Sequence, residues 1–475
     1  MKDFFKAFLS FGLASSIEKL LGFIILPIYT REFNKTEYGV MDMVSTIISV
    51  AIIFGLLQLE TALQRYYYEY KGIKRKLLIT NTYFWIGGCS TAIGTVIFCI
   101  ASVISEKLFK TNEYANLIRT AAFQLPLANL SMLGLLLLRY EKENIKFLTV
   151  IITKVVFSLF FVYLFVIYLR LGLSGVFYAQ VSSMLITTSI VTFFVRRNFV
   201  FRYSNHLSLR NFKYALPQMP AGIGSMVLGQ ADRFFMLGYL SLGAIGIYSV
   251  SIKLASSIQL VNTAFILAWA PFMHAQFKKQ NNKIVFASVF PIVVAGTFLF
   301  VCLISLFSQE MVKLLATKEF YSSYKYIGGL ALFFSLYIVK ETVDIGPKIK
   351  EKTKFLSFTF FLSVLVNLSS LFFLIKHFQI EGVVISMIIT NIFLIVISWI
   401  ISNKLYYISF SVSKFVVLLI PALLLSVFSM IIDLDLYIRI IISIFCISFY
   451  TILLGRFYKQ FKSSIPSPVY IPESV

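Results

Sequence analysis

Fourteen stretches of this sequence are apolar over a length that can cross a lipid bilayer. A transmembrane helix needs about 20 mostly apolar residues. Only 13% of the residues are charged, about half the share of a soluble domain, which excludes a water-soluble enzyme and a disordered chain. We therefore predict an all-α, polytopic membrane protein with about fourteen transmembrane helices, over residues 8–30, 40–60, 78–104, 115–138, 147–169, 173–195, 214–238, 242–270, 284–307, 322–345, 355–375, 380–402, 415–432 and 436–455.

The positive charges are unevenly shared between the two sides of the predicted membrane. If both ends of the chain lie on one side, 28 of the 43 Lys and Arg residues fall in segments on that side and 10 fall in the opposite loops. Short cytoplasmic loops carry such an excess, so we predict cytoplasmic termini. The formal net charge of +22 then needs no nucleic-acid partner to explain it.

Two separate motifs recur at the same spacing. Glu37-Tyr38-Gly39-Val40-Met41 aligns with Ala244-Ile245-Gly246-Ile247-Tyr248, and Leu173-Ser174-Gly175-Val176 aligns with Ile380-Glu381-Gly382-Val383, both at a shift of 207 residues. Internal repeats of transporters place the binding site at their interface near the middle of the bilayer. We predict two pseudo-repeated six-helix lobes around a central cleft, followed by two further helices and a cytoplasmic tail, over residues 1–207, 208–414 and 415–475.

Ionisable residues inside the predicted spans are the candidate site. Each costs roughly 2.5–3.5 kcal/mol at the bilayer centre, so each needs a functional or structural reason. Lys19, Lys154 and Lys253 lie near the middle of spans one, five and eight, whereas Arg65 and Arg139 stand at the inner ends of spans two and four. Arg and Lys side chains bind phosphate. We therefore predict a water-filled cationic cavity that accepts an anionic, lipid-linked substrate by alternating access.

A buried network of ion pairs is the alternative interpretation of these charges. Glu18 in span one could be a structural partner of Lys154. Asp232 and Arg233 are sequence neighbours about 100° apart around their helix, so we expect them to pair with other helices rather than with each other. A structural role and a transport role are equally compatible with that pair.

Several motifs resemble the bacterial polysaccharide or O-antigen flippases, over most of the first twelve spans. The resemblance implies membership of the superfamily that also contains multidrug antiporters and peptidoglycan-precursor flippases, and two lobes that form a V open alternately to each side. The motifs are Ile17 to Phe23 (IEKLLGF), Pro27 to Arg31 (PIYTR), Glu37-Tyr38-Gly39 with Asp42, Ala231 to Phe235 (ADRFF), Gly246 to Val250 (GIYSV) and Ala268 to Phe272 (AWAPF).

The resemblance also implies roles for individual residues. Basic residues line the cavity of peptidoglycan-precursor flippases in spans one and eight, and Lys19 and Lys253 stand at matching positions. Arg65 matches a basic residue at the end of span two. A second basic residue of span one is missing here, where Ile24 and Ile25 stand. This favours an undecaprenyl-diphosphate-linked oligosaccharide other than the peptidoglycan precursor.

We predict a flippase rather than an enzyme, without metal or cofactor, coupled to H⁺, Na⁺ or the membrane potential. An ion-coupled multidrug antiporter is the alternative, followed by a membrane-embedded oligosaccharide polymerase or ligase. The expected partners are the lipid-linked anionic oligosaccharide, membrane lipid and the polysaccharide polymerase machinery. The substrate-binding candidates are Lys19, Arg65, Arg139, Lys154, Arg233 and Lys253, and the candidates for ion coupling or charge pairing are Glu18, Asp42 and Asp232.

Overall fold

The computed structural model describes residues 17, 19–277, 281–350, 352 and 354–464. Every regular element in these ranges is a helix, and the ranges contain no strand. The all-α prediction is therefore confirmed. The chain divides into two compact units, Met1–Ser249 and Val250–Val475, which we name unit 1 and unit 2.

Unit 1 contains helices α1 to α11 and the first part of α12. Leu57 and Gln58 adopt left-handed backbone conformations, with φ of 50° and 56°, and separate the long apolar α2 from the short α3. A π-helical stretch, Tyr163–Tyr168, continues α8. The helices are α1 over 19–32, α2 Lys35–Leu56, α3 Leu59–Tyr66, α4 Gly72–Cys99, α5 Ala101–Phe109, α6 Ala115–Ala122, α7 Gln124–Tyr140, α8 Asn144–Val162, α9 Gly172–Val195, α10 Asn205–Ala215, α11 Met219–Tyr239 and α12 Leu242–Ala255.

Unit 2 contains the end of α12 and all later helices. Gln379, with φ 48° and ψ −125°, interrupts α18. The 25 residues before Gln379 and the 26 after it form two helical parts about 38 Å and 39 Å long at 1.5 Å per residue. Each part is long enough for one crossing of a hydrocarbon core roughly 30 Å thick. The helices are α13 Ile258–Gln276, α14 Asn282–Leu306, α15 Ser308–Leu315, α16 Tyr324–Val343, α17 Ile345–Ile349, α18 Lys354–Leu405, α19 Val412–Ile431 and α20 Leu436–Ser464.

Ten helical segments of the described ranges are long and apolar enough to cross a membrane, with α18 counted once. The chain is thus a multi-pass membrane protein. The count of fourteen spans, the lobe limits after residues 207 and 414, and the cytoplasmic position of the termini stay predictions.

The second repeat motif has the same local structure in both copies. Gly175 in the first turn of α9 and Gly382 in the second half of α18 each approach a backbone carbonyl of the preceding helical segment. The chain is left-handed shortly before each of them, at Gly172 with φ 58° and at Gln379 with φ 48°. These two turn positions are also 207 residues apart. The repeat that the sequence indicates therefore extends to the backbone conformation of the turns.

The start of α20 is held against α15 by a bidentate ion pair. The buried Arg439 donates from Nη1 to Glu310 Oε2 at 2.7 Å and from Nη2 to Glu310 Oε1 at 2.8 Å. It also donates to the carbonyl oxygen of Leu306 at 2.9 Å. Partial burial raises the pKa of the Glu310 carboxyl. The hydrogen bonds and charge of Arg439, together with a backbone hydrogen bond and the charge of Lys313, outweigh this effect, so the pKa lies below the ordinary value.

This ion pair predicts a loss of stability in acid. A carboxyl whose pKa is lower in the folded state stabilises the protein above its unfolded pKa of about 4.3, and that stabilisation is lost as the pH falls through the folded pKa. We expect the Tm of the purified protein to fall more steeply below about pH 5 than that of Glu310→Gln. The contribution of the ionised Glu310 carboxyl to the free energy of unfolding should be about 1 kcal/mol or less, because the carboxyl is partly exposed and screened. Parallel Tm curves for the two proteins would contradict the prediction.

Candidate functional site

A cluster of charged side chains lies where α2, α11 and α12 meet in unit 1, and the first turn of α2 fixes its geometry. The Asn34 side chain accepts hydrogen bonds from the backbone N–H groups of Thr36 and Glu37, both at 2.9 Å. The Glu37 carboxylate in turn accepts from the Asn34 N–H at 2.9 Å. This capping box sets where α2 begins, and Asp42 follows two turns further along the helix.

α2 and α12 approach each other through two glycines. A Cβ atom at Gly39 would meet the carbonyl oxygen of Leu242 and lie 3.2 Å from the backbone nitrogen of Gly246. A Cβ atom at Gly246 would meet the carbonyl oxygen of Lys35 and lie 3.1 Å from the backbone nitrogen of Gly39. The contact is reciprocal under the 207-residue shift, which relates Lys35 to Leu242 and Gly39 to Gly246. Only glycine fits at either position while the two backbones stay where they are.

Arg233 of α11 joins two carboxylates beside this crossing. Its Nε lies 3.2 Å from Oδ2 of Asp42 on α2, and its Nη1 lies 3.0 Å from Oδ2 of the neighbouring Asp232. The buried Tyr248 of α12 donates its hydroxyl to the same Asp232 carboxylate. Asp232 is buried, whereas the Asp42 side chain keeps 22% of its surface exposed. We name these four residues the α2–α11–α12 cluster.

The contact between Asp232 and Arg233 contradicts the expectation that the two do not pair with each other. The angle of about 100° separates their Cβ atoms, but a long guanidinium side chain can fold back along its own helix. The expected partner on another helix is also present, because Arg233 contacts Asp42 as well. The cluster thus contains two carboxylates and one guanidinium.

A second group of predicted residues meets in a pocket of about 330 Å³ in unit 1. Arg139 lies near the end of α7, and Lys154 lies on α8, about 15 Å from the start of that helix. The lining also includes the hydroxyl-bearing Ser131 and Thr187, and the remaining lining residues are apolar. We name this cavity the α7–α9 pocket, because α7, α8 and α9 form its walls.

The α7–α9 pocket combines positive charge with apolar walls. Its lining contains the side chains of Arg139 and Lys154. The Arg139 guanidinium also lies 5.6 Å from the centre of the Phe147 ring, a cation–π distance. Two cations and two hydroxyls can bind the oxygens of a phosphate, while the apolar walls suit the first carbons of a lipid chain.

The other predicted site residues lie outside these two groups. Arg65 is on the surface of α3, 3.8 Å from Glu69 and 6.0 Å from the centre of the Tyr66 ring. Lys19 is half-buried on α1, and Lys253 is exposed on α12. The cavity that Lys19, Lys154 and Lys253 line together stays a prediction. Glu18 lies outside the described residues.

Sequence reasoning missed a charge cluster at the end of α16 in unit 2. Lys340, near the end of the predicted span 322–345, is buried, with its Nζ 2.8 Å from Asp344 and 3.2 Å from Glu341. Lys348 reaches the same Glu341 at 2.7 Å. The spacing of Lys340 and Asp344 by four residues was the available signal. No group of three or more His, Cys, Asp and Glu side chains within the described ranges is placed to hold a metal ion.

Two sequence comparisons connect the chain to known proteins. The profile of a family described as "Polysaccharide biosynthesis protein" matches residues 4–277. The "Lsg locus putative protein 1" of Haemophilus influenzae is 25% identical over 276 residues, which are 55% of this chain and 64% of that protein. The match thus spans less than two thirds of the length of this relative.

Solved structures share the fold. The lipid II flippase MurJ, in its inward closed conformation, has a TM-score of 0.67 and 16% identity, covering 95% of this chain and 99% of that chain. An inward-facing multidrug resistance transporter of the MATE family, within the MOP superfamily, has a TM-score of 0.60 and 14% identity, covering 82% of this chain and 97% of that chain. At these identities the likeness concerns the fold alone.

Proposed function

Since the chain belongs to the polysaccharide biosynthesis protein family, we propose that it is a flippase for an undecaprenyl-diphosphate-linked oligosaccharide. The substrate would move from the cytoplasmic to the outer leaflet of the inner membrane by alternating access. Both termini would be cytoplasmic, and the polysaccharide polymerase machinery would receive the product. No catalytic step is required of the protein, because no covalent bond changes.

The α7–α9 pocket carries this proposal. Its two cations, Arg139 and Lys154, match a diphosphate in charge, and its apolar walls match the isoprenoid carbons that follow the phosphate. A volume of about 330 Å³ suits this junction of head group and tail rather than the whole oligosaccharide. We propose that the pocket holds the diphosphate of the carrier lipid.

An anionic substrate also gives the transport a source of free energy. Moving one negative charge outward across an inside-negative membrane releases roughly 2.3 kcal/mol per 100 mV. A diphosphate carries more than one such charge, so the membrane potential alone can favour the outward direction. Coupling to H⁺ or Na⁺ would add to this force.

The test is a flipping assay with purified protein in liposomes, using a fluorescent undecaprenyl-diphosphate oligosaccharide and a quencher that cannot cross the bilayer. Each of Arg139→Gln and Lys154→Gln should lower the initial rate by about 10-fold or more, because a hydrogen bond to a charged group contributes about 1.5–3 kcal/mol. Lys146→Gln is the matched control, since this partly exposed lysine lies on α8, like Lys154, and pairs with Glu143. Its rate should stay at the wild-type level.

Two results would count against the proposal in different ways. Wild-type protein that flips no lipid-linked oligosaccharide in the assay would contradict the function. Normal flipping by the double variant Arg139→Gln/Lys154→Gln would contradict the role of the pocket. It would not contradict the function, which other residues would then have to support.

A multidrug antiporter is the second candidate function, because the α2–α11–α12 cluster contains two carboxylates against one guanidinium. Such a cluster favours a cation, either as cargo or as a coupling ion. Efflux of cationic dyes by liposomes that contain the purified protein, in the absence of lipid-linked oligosaccharide, would support this candidate over the flippase.

A further inference from the structure

The segment that joins α9 to α11 is strongly basic. Residues 196–218, which we name the basic connector, contain no Asp or Glu. The connector includes the amphipathic helix α10 and two short 3₁₀ turns. All five of its cations are exposed: Arg196, Arg197, Arg202, Arg210 and Lys213.

The basic connector is fixed to unit 1 by hydrogen bonds along one edge. The buried Asn81 of α4 donates to the carbonyl oxygen of Ser204 at 2.7 Å and to the hydroxyl of Ser208 at 2.9 Å. The Val200 N–H donates to the Thr80 hydroxyl at 3.1 Å. These bonds hold the backbone of the connector in place, so the side chains on its other edge keep a defined direction.

That other edge exposes large apolar side chains between the cations. Phe201 is fully exposed, and Leu209 is just over half exposed. Leu216, at the end of the connector, is also exposed. Exposed aromatic and aliphatic groups beside positive charges are unfavourable in water, but they suit the boundary between lipid head groups and acyl chains.

We propose that the basic connector is a binding surface for anionic phospholipid head groups. Clusters of four to eight Lys and Arg residues next to a transmembrane helix attract anionic lipids by roughly 1 kcal/mol per residue near the surface. Phe201 and Leu209 insert between the acyl chains, and Arg196, Arg197, Arg202 and Lys213 bind the phosphates around them. The surface and its lipid are independent of the cargo proposed above.

This surface has a mechanical consequence. The connector links the last helix of the first predicted six-helix repeat to the first helix of the second. Lipid bound along residues 196–218 therefore holds the inner ends of α9 and α11 at the depth of the head groups. The matching orientation, with the connector on the cytoplasmic side, is the one that the distribution of Lys and Arg predicts.

Trp85 offers a local probe of this surface. Its indole N–H donates to the hydroxyl of Tyr203 at 3.2 Å, and its ring centre lies 5.1 Å from that of Phe212. The chain has three tryptophans, so Trp269→Phe and Trp399→Phe leave Trp85 as the sole emitter. Full-length protein is reconstituted in zwitterionic vesicles that contain a small fraction of either brominated phosphatidylglycerol or brominated phosphatidylcholine. Bromine on the acyl chains quenches Trp85 fluorescence on contact.

We expect the anionic brominated lipid to be enriched about fivefold over the zwitterionic one at Trp85. Arg196→Gln, Arg197→Gln and Arg202→Gln together should remove most of this preference; they leave Arg210, which bonds to Glu69, in place. The matched control is the triple change Arg456→Gln, Lys459→Gln and Lys462→Gln at the end of α20 in unit 2, which removes the same charge and should keep the preference.

Equal quenching by the two lipids in the single-tryptophan protein would overturn the proposal. So would a preference that survives the triple change in the connector, because it would then arise elsewhere. Native mass spectrometry of the protein with all three tryptophans supplies a second measurement if the single-tryptophan form does not fold. Wild-type protein should retain phosphatidylglycerol over phosphatidylcholine, and the connector variant should not; equal retention of the two lipids by the wild type would overturn the proposal.

Discussion

Replacement of Arg233 by methionine should lower the free energy of unfolding by about 3–5 kcal/mol. The change leaves the carboxylates of Asp42 and Asp232 without their shared cation, and Asp232 is buried. A buried charge without a partner costs far more than a broken surface ion pair. Unfolding of the purified protein in mixed micelles, followed by circular dichroism as denaturant is added, measures the loss.

Two variants separate this effect from a general sensitivity to substitution. Arg65→Met removes an exposed arginine that lies 3.8 Å from Glu69, and it should cost about 1 kcal/mol or less. The triple change Asp42→Asn, Asp232→Asn and Arg233→Met removes all three charges together and should recover most of the lost stability. If Arg233→Met unfolds at the wild-type denaturant concentration, the cluster is not a buried charge network.

The second large effect is expected at the crossing of α2 and α12. Gly39→Ala adds a single methyl group, but its position meets backbone atoms of Leu242 and Gly246 that cannot rotate away. We expect a loss of about 3 kcal/mol, at the upper end for overpacking, because the two helices must move apart. Gly246→Ala should behave in the same way, since its methyl group would meet Lys35.

The control for this prediction is Gly88→Ala. Gly88 lies within α4, and a Cβ atom there has nothing within 4 Å. Alanine is the better helix former by about 0.5–1 kcal/mol, so this variant should be as stable as the wild type or more so. The double variant Gly39→Ala/Gly246→Ala should cost less than the sum of its parts, because one separation of the helices relieves both contacts. Additive losses in the free energy of unfolding, or a Gly39→Ala variant as stable as the wild type, would contradict the close contact between the backbones of α2 and α12.

The architecture could be read from the sequence because long apolar runs have few alternatives in a membrane. The runs predicted the helices, and the motifs around Gly39 and Ala231 predicted the family to which the chain belongs. The spacing of 207 residues also predicted the repeat, whose copies share left-handed turns at Gly172 and Gln379. These features depend on local composition and on distance along the chain, which a sequence contains in full.

The composition of the site was predicted less well, because it depends on how helices rotate against each other. Arg139 and Lys154 were identified separately, and only the packing of α7 against α8 places them in one pocket. Partners on other helices were expected for Asp232 and Arg233 on Cβ geometry, whereas the guanidinium lies several bonds beyond that atom and also reaches Asp232. Lys340 was not among the candidate residues, because its neighbours Glu341 and Asp344 were not considered as partners along the helix.

The reciprocal contact of Gly39 with Gly246 bears on how such a chain can have evolved. In a half-length ancestor, assembled as a pair of identical subunits, one glycine would have served both sides of the interface. Any mutation there would have acted twice at once. After duplication and fusion the two glycines can mutate separately, yet each still faces the backbone of the other copy. Divergence of the two halves is therefore restrained at this point, because a side chain at either glycine would meet backbone atoms of the other half.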